Sequence, residues 1–256
     1  MINTDYTSST VDGKGIATLT LTNAKAMNII GTPAILELTE ALATLRARHD
    51  VRVLVLRGSG DKAFIGGADI YEMSTLTPPA AEAFITRLKN LCEAVRSFPV
   101  PTIARLSGWT LGGGLEVALA CDLRIGSTDG HYGMPEVAVG IPSVIHAVLL
   151  PRLIGTSRAT WMLMTGETID ASTAHQWGLV HELSDPVALD TCIAELAGKL
   201  AGFGPAALRQ QKALMRSWES LPPDQAIEAT VPEFGRAFAT GEPQHYMELF
   251  KHRKRG

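Results

Sequence analysis

The chain has 256 residues, of which 46% are hydrophobic and 19% charged, and its formal net charge is −3 at pH 7. This length is enough to bury a substantial core in one domain, or in one domain with a helical appendage. The balanced charge argues against a general role in binding nucleic acid or a membrane surface. The composition is that of an ordinary globular enzyme.

The first part of the chain predicts alternating strands and helices. Residues 7–11 and 16–21 alternate between apolar and polar, and the DGKG sequence at 12–15 is typical of a hairpin turn. A helix is predicted at about 33–49, because apolar residues recur there at helical spacing. Residues 51–58, VRVLVLRG, predict a buried strand that ends in a glycine-rich turn.

The pattern continues in the rest of the chain. A largely helical stretch is predicted at 72–98, where Pro78 and Pro79 suit a helix start. Short apolar strands are predicted at 101–108, 122–127 and 178–184. Helices are predicted in the C-terminal part at 186–201, 205–217 and 225–239. Strands that alternate with helices indicate an α/β protein with a mostly parallel sheet.

The cysteines bear on the cellular compartment. There are three, Cys92, Cys121 and Cys192, with apolar neighbours and no CxxC pair. Such a set is typical of buried thiols in a reducing compartment. The N-terminal sequence MINTDYTSST has neither the basic nor the apolar region of a secretory signal. The expected location is therefore the cytoplasm.

Familiar cofactor motifs do not occur in the sequence. The GSGDK sequence at 58–62 lacks the spacing of a P-loop, and no GxSxG or HExxH motif is present. The seven histidines have no ligand-like spacing. We therefore expect no metal and no redox cofactor.

Residues 107–140 carry the features that indicate chemistry. Three consecutive glycines at 112–114 precede Glu116 and an apolar helical segment, and Glu136 follows in a GMPE sequence. Glycines allow close backbone approach to a ligand, and a helix start presents free N–H groups. Such groups suit a carbonyl oxygen that gains negative charge. The plain alternative is a glycine loop followed by a glutamate that caps a helix.

A second glycine motif, KAFIGGADIYEM, lies upstream at 62–73. Together with GWTLGGGLEVALACDLRI at 108–125 and YGMPEVAVGIP at 132–142, in this order and spacing, it resembles the enoyl-CoA hydratase/isomerase (crotonase) superfamily. The resemblance is strongest to an enoyl-CoA hydratase and covers nearly the whole chain, from NAKAMN at 23–28 onward.

The resemblance implies a particular fold and assembly. The expected fold is a crotonase-like spiral of strand–strand–helix turns at 1–195, which holds the active site, followed by a C-terminal helical subdomain at 196–256. In the family such helices form subunit contacts, which implies a homotrimer or a dimer of trimers. Neither nucleic acid nor a membrane is an expected partner.

The resemblance also implies catalytic roles. The backbone N–H groups of Ala68 and Gly113 would form an oxyanion hole for the thioester carbonyl of an acyl-CoA. Glu116 would orient and deprotonate a water molecule, and Glu136 would give its proton to the α-carbon. In a closed apolar pocket two carboxylates cannot both be charged cheaply, so one of them is driven toward its neutral form.

The CoA moiety is expected to lie against the first two motifs. The residues implied by the family pattern are Lys25, Ala26, Met27, Ala68, Asp69 and Ile70. For Lys25, the alternative that it is an ordinary exposed turn residue has equal weight. Because CoA is part of the substrate, no separate cofactor is implied.

One segment departs from the family pattern. Many hydratases follow the second glutamate with GxIPGAGGTQRL, whereas this chain has GIPSVIHAVLLPRL at 140–153. Ser143, Val144, Ile145 and His146 stand where glycines are usual, which suggests a reshaped acyl pocket. His146 either faces the pocket or packs on a helix, and its apolar neighbours favour packing.

These motifs predict syn hydration of a 2-enoyl-CoA to a 3-hydroxyacyl-CoA. An enoyl-CoA isomerase is the first alternative, since it needs only one catalytic carboxylate. An acyl-CoA hydrolase or decarboxylase is the next alternative, given the altered segment. A non-catalytic binding protein with the same fold is disfavoured because both glutamates and both oxyanion motifs are present. Acyl chain length and branching are not indicated by the sequence.

Overall fold

A computed structural model gives the fold of residues 2–253. The strands are β1 (Ile2–Asn3), β2 (Thr7–Val11), β3 (Ile16–Leu21), β4 (Val53–Gly58), β5 (Ala63–Ile65), β6 (Thr102–Leu106), β7 (Trp109–Leu111), β8 (Leu123–Ser127), β9 (His131–Gly133), β10 (Thr168–Asp170) and β11 (Glu182–Ser184). The helices are α1 (Thr32–Arg46), α2 (Ile70–Met73), α3 (Pro78–Arg96), α4 (Gly113–Ala120), α5 (Leu150–Ile154), α6 (Thr156–Thr165), α7 (Ala171–Gln176), α8 (Leu189–Ala201), α9 (Pro205–Trp218), α10 (Pro223–Phe238) and α11 (Glu242–Arg253). Short 3-10 turns occur at Pro135–Val139, Ile145–Leu149 and Pro186–Ala188.

The strands form two sheets. The larger has seven strands in the order β1-β2-β3-β4-β6-β8-β11, and its pairs from β3 to β11 are parallel. The smaller has four strands in the order β10-β9-β7-β5, with β5, β7 and β9 parallel. The predicted α/β class and mostly parallel arrangement are confirmed.

A repeated unit connects the two sheets. A strand of the large sheet is followed by a short strand of the small sheet and then by a helix or turn: β4–β5–α2/α3, β6–β7–α4 and β8–β9–3-10 turn. Each repeat therefore places a strand-to-helix connection at the end of the small sheet. The motifs at 62–73, 108–125 and 132–142 all contain such a connection, which brings them to one place.

The predicted N-terminal hairpin is confirmed and has a local cause. β2 and β3 are antiparallel, with Val11 opposite Ala17. Between them the Asp12 side chain accepts hydrogen bonds from the N–H groups of Lys14 and Ile16, at 2.8 and 2.9 Å. Gly15 has φ +79°, a conformation that a residue without Cβ adopts without strain.

Both faces of the large sheet are buried. One face supports the main hydrophobic core with α1, α3 and α4. The other face is covered by α8, where Leu189 and Ile193 pack with Val53 and Ile103. Burial on both faces explains why β4 is a near-continuous apolar run rather than an alternating one.

Helix α8 crosses the predicted boundary between residues 195 and 196. Its buried residues on both sides of that boundary, Ile193 and Ala197, belong to one cluster with the sheet. This helix packs on the large sheet along its length, and the division of the chain at 195 remains a prediction. The C-terminal helical subdomain itself remains a prediction, and its residues 254–256 lie outside the described residues.

Other sequence expectations differ in detail. The stretch at 72–98 is divided into α2 and α3, because residues 74–77 do not continue the helix. The small sheet was not predicted, since strands of three residues carry little periodic signal. Helix α11 was not predicted either. Among residues 2–253, no helix combines the length and the apolar character needed to cross a membrane.

Candidate active site

A cavity of about 520 Å³ lies where the three motifs meet. It is enclosed by α2 and α3, the start of α4, and the turn that follows β9. Its lining residues are mainly apolar and are Gly66, Gly67, Ala68, Ile70, Met73, Leu76, Ala81, Glu82, Phe84, Ile85, Leu88, Leu111, Gly112, Gly113, Glu116, Pro135, Glu136, Ala138, Val139, Ile141, Pro142 and Val144. The cavity thus combines an apolar wall with a few polar groups, the usual character of a ligand site.

The glycines at 112–114 shape the start of α4. Gly112 has φ +51° and ψ −125°, which L side chains rarely adopt. A Cβ at Gly114 would lie 2.1 Å from the carbonyl oxygen of Ile65, so only glycine lets α4 approach β5 this closely. All eight residues of α4 are buried, and its first residue, Gly113, lines the cavity.

Ala68 and Gly113 are neighbours across the cavity wall. A Cβ built on Gly113 would lie 4.0 Å from the backbone nitrogen of Ala68. The Ala68 segment is fixed on both sides, since Gly66 N–H donates to Met27 at 2.8 Å and Asp69 N–H donates to Ile30 at 3.0 Å. The two amides predicted to form an oxyanion hole therefore come from rigid, adjoining segments.

Glu116 is a buried carboxyl, with 3% of its surface exposed. The backbone N–H of Ala147 donates to its Oε1 at 3.1 Å. Burial raises the pKa of Glu116 from 4.5 to about 8, the backbone hydrogen bond from Ala147 opposes this rise, and the nearby charge of Glu136 adds to it. A pKa of about 8 favours the protonated form of Glu116 at neutral pH.

Glu136 stands in the first turn of the 3-10 segment that follows β9. The hydroxyl of Ser143 donates to its Oε2 at 2.7 Å. Its other oxygen lies over Gly112, where an added Cβ would be 2.6 Å from Oε1. Glycine at 112 therefore leaves the space that this carboxyl occupies.

The two predicted glutamates and the two predicted amides line the same cavity. This arrangement is what a thioester carbonyl and its neighbouring carbons would require. The raised pKa of Glu116 favours its protonated form, whereas the sequence implies that Glu116 is the base and Glu136 the acid. Glu116 has the raised pKa because α4 carries it into the core.

The CoA-binding candidates are divided by the structure. Ala68 and Ile70 line the cavity, whereas Lys25, Ala26, Met27 and Asp69 do not. Lys25 Nζ forms an ion pair with Asp69 at 2.9 Å, and this partner lowers the pKa of the Asp69 carboxyl. Asp69 also caps α2 by accepting the N–H of Tyr71 at 2.9 Å. The role of these four residues in CoA binding stays a prediction.

His146 packs inside the protein rather than facing the cavity. It is buried, and its Nε2 lies 3.0 Å from Oε1 of Glu93 on α3. Burial lowers the pKa of His146 despite this carboxylate. The prediction that it packs is therefore correct, although its partner is an acidic side chain as well as apolar ones.

Sequence reasoning missed three contributions to the site. It interpreted Ser143 as a lost glycine, not as a hydrogen-bond donor to Glu136. It did not foresee the N–H of Ala147 as a partner of Glu116. It also did not foresee that Gly112 leaves the space that the Glu136 carboxyl occupies. A serine seven residues after a candidate catalytic glutamate only weakly indicates a hydrogen bond between them, because that contact depends on the conformation of the intervening turn.

Within residues 2–253, no three or more His, Cys, Asp or Glu side chains come together in an arrangement that could hold a metal ion.

A comparison with known protein families identifies the class to which this fold belongs. The family model described as enoyl-CoA hydratase/isomerase matches residues 12–255. The chain therefore belongs to the enoyl-CoA hydratase/isomerase family, and its fold is the crotonase-like spiral.

Individual members of the family are similar to this chain in sequence and in structure. The chain is 32% identical to crotonyl-CoA hydratase of Syntrophomonas wolfei over 94% of this chain and 93% of that protein. It is 34% identical to (E)-benzylidenesuccinyl-CoA hydratase of Thauera aromatica over 83% of each chain. A crystal structure of enoyl-CoA hydratase from Bacillus anthracis superposes with a TM-score of 0.93, at 27% identity, over 97% of this chain and 96% of that one.

Proposed function

We propose that this protein is an enoyl-CoA hydratase, which adds water syn across the 2,3 double bond of a 2-enoyl-CoA to give a 3-hydroxyacyl-CoA. The observation that carries the proposal is that Glu116 and Glu136 line one cavity with the adjoining Ala68 and Gly113. The hydratase names of similar proteins support the same reaction.

The oxyanion hole supplies the electrostatic part of the proposal. When a nucleophile adds to the β-carbon of the enoyl thioester, negative charge moves to the thioester oxygen. The N–H groups of Ala68 and Gly113 are proposed to donate to that oxygen. Loss of one such donor typically lowers a rate by about 10²–10³-fold. Neither donor needs a side chain, so small residues keep the path to the carbonyl open.

The two carboxyl groups supply the proton transfers. The water oxygen bonds to the β-carbon while its proton passes to Glu116, and Glu136 gives a proton to the α-carbon. The pair therefore begins and ends a turnover with one shared proton. Burial favours a proton on Glu116, so the proposed mechanism requires that this proton pass to Glu136 when substrate and water bind. We propose that the substrate water, held between the two carboxyl groups, carries this proton from Glu116 to Glu136. No cofactor takes part, since CoA belongs to the substrate.

Enoyl-CoA isomerisation is the alternative within the family. Moving a proton between the α- and γ-carbons needs one carboxyl, and water addition uses two. The presence of two carboxyls in the cavity, Glu116 and Glu136, favours hydration.

A direct assay tests the proposal. The protein is incubated with crotonyl-CoA and with longer and branched 2-enoyl-CoAs, while the absorbance of the conjugated thioester is followed and products are identified by mass spectrometry. We expect 3-hydroxyacyl-CoA from at least one substrate and none with the E116Q/E136Q double variant. Turnover of a 3-enoyl-CoA to a 2-enoyl-CoA, without hydration of any 2-enoyl-CoA, would establish the isomerase instead.

We propose further that the protein assembles as a homotrimer or a dimer of trimers in the cytoplasm. Support for assembly comes from α10, where Ile227, Val231, Phe234 and Phe238 form an exposed apolar stripe along one side of the helix. Support for a reducing compartment comes from three cysteines with free thiols.

A further inference from the structure

The turn after Glu136 brings Ser143 back to it. The N–H of Ile141 donates to the backbone carbonyl of Glu136 at 3.2 Å, and Gly140 closes the turn with a left-handed φ of +81°. The chain therefore reverses between 136 and 143. Ser143 Oγ then lies 2.7 Å from Oε2 of Glu136, which is the usual distance for a hydrogen bond from a hydroxyl to a carboxyl group.

Each oxygen of the Glu136 carboxyl has a defined neighbour. Ser143 donates to Oε2, and Oε1 lies where a Cβ of residue 112 would project, next to the proposed oxyanion donor Gly113. Ser143 does not itself line the cavity, although Pro142 and Val144 on either side of it do. Its hydroxyl therefore acts on the glutamate and not on a ligand.

The same segment also serves the other glutamate. Four residues after Ser143, the N–H of Ala147 donates to Glu116 at 3.1 Å. Between them, Ile145 has φ +38°, an unusual conformation for a β-branched residue and one that is retained only where the surroundings enforce it. Next to it, Nε2 of His146 lies 3.0 Å from Oε1 of Glu93, which connects the segment to α3. Residues 143–147 therefore set the positions of both carboxyl groups.

We propose that Ser143 is a positioning residue for Glu136, whose hydroxyl holds this carboxyl in the orientation that proton transfer to the substrate requires. The inference rests on the proposed hydratase function. The departure from the family pattern at residue 143 then has a specific effect, because a serine hydroxyl can donate a hydrogen bond to Glu136 and glycine has no side chain to do so.

The test compares S143A with S143T, which keeps a hydroxyl, and with S217A as the matched control. Ser217 is also half-buried, and its hydroxyl bonds to a backbone carbonyl within α9, at 2.8 Å from Leu214. We expect S143A to lower kcat by about 10-fold or more with little change in KM, because a misplaced acid costs rate but not binding. S143T should recover most of the loss, and S217A should equal the wild type.

A second measurement does not depend on activity. In protein labelled with ¹³C at glutamate carboxyls, the Glu136 resonance is identified by its absence in E136Q. We expect it to shift in S143A and to stay in place in S217A. An unmoved resonance, or unchanged kcat in S143A, would overturn the role of Ser143. If the wild type hydrates no 2-enoyl-CoA while the resonance shifts, the hydrogen bond stands and the proposed function fails.

Discussion

The backbone N–H of Ala147 donates to the Glu116 carboxyl at 3.1 Å, although the two residues are far apart in the chain. This contact joins the buried helix α4 to the turn that also holds Glu136 through Ser143. The two carboxyls are therefore coupled through one short segment as well as through their charges.

The burial of Glu116 gives a pH dependence of stability. Its pKa is raised from 4.5 to about 8 in the folded protein, so the folded state binds this proton more tightly than the unfolded state. The contribution of the group to the free energy of unfolding is therefore fully present below about pH 4.5 and is lost as the pH rises through about 8. We expect E116Q to lack this loss and to exceed the wild type in stability by a few kcal/mol at about pH 9.

Urea unfolding of both proteins across this pH range measures the effect. E228Q is the control for removing one negative charge, because Glu228 is exposed on α10. A constant difference between E116Q and wild type from acid to alkaline pH would contradict a raised pKa for Glu116.

Replacing the second glutamate should abolish most of the proposed activity. E136Q keeps the size of the side chain and its contact with Ser143, but Gln cannot transfer the proton. We expect hydration of a 2-enoyl-CoA to fall by at least about 10²-fold, the usual scale of general acid–base catalysis. Steady-state kinetics measure it, with circular dichroism to show that the fold is intact. Unchanged turnover would remove Glu136 from the mechanism.

Gly112 is expected to be essential for two separate reasons. G112A places a residue with Cβ at φ +51° and brings that Cβ within 2.6 Å of the Glu136 carboxyl. We expect a loss of about 1–3 kcal/mol in stability from the strained backbone. We also expect at least about a 10²-fold loss of hydration from the displaced acid.

The matched control for this change is G60A. Gly60 also has a left-handed φ, +69°, but nothing lies within 4 Å of its added Cβ. G60A should therefore lose some stability and retain full activity. Equal activities for the two variants would show that displacement of Glu136 has no effect on the reaction.

Lys212 should make a large contribution to stability. It is buried in α9, and its Nζ contacts Asp122 Oδ2 at 2.7 Å and the carbonyl of Val100 at 3.1 Å. Burial lowers the pKa of this amine, and the Asp122 carboxylate opposes that effect. K212A leaves Asp122 without its cation, so we expect a loss of about 3–5 kcal/mol.

Urea denaturation compares K212A with K199A, since Lys199 is an exposed residue in the last turn of α8. A loss in K212A no greater than in K199A would show that α9 is held to the sheet by other contacts.

Assembly is expected to depend on the apolar stripe of α10. V231D introduces a charge into the middle of this stripe, and A229D introduces the same charge on the opposite side of the helix. We expect V231D to yield monomers in analytical ultracentrifugation and A229D to retain the oligomer of the wild type. A trimer that survives V231D would place the subunit contacts elsewhere.

The sequence by itself determined the local features of this protein. Turn chemistry fixed the hairpin at Asp12, and the long apolar runs identified the strands of the large sheet, since these depend on neighbouring residues alone. The ordered glycine motifs also identified the family and both glutamates. Very short strands escaped prediction, because each is held by its partners in the small sheet rather than by its own pattern.

Only the tertiary structure decided how the glutamates differ. Glu116 and Glu136 look alike in the sequence, yet one is carried into the core by α4 and the other is held at a turn by Ser143. A pKa and a hydrogen bond to a residue outside the local turn depend on which groups surround a side chain in space. Sequence periodicity does not specify those surroundings, so the contact between Ser143 and Glu136 could not be predicted from the sequence.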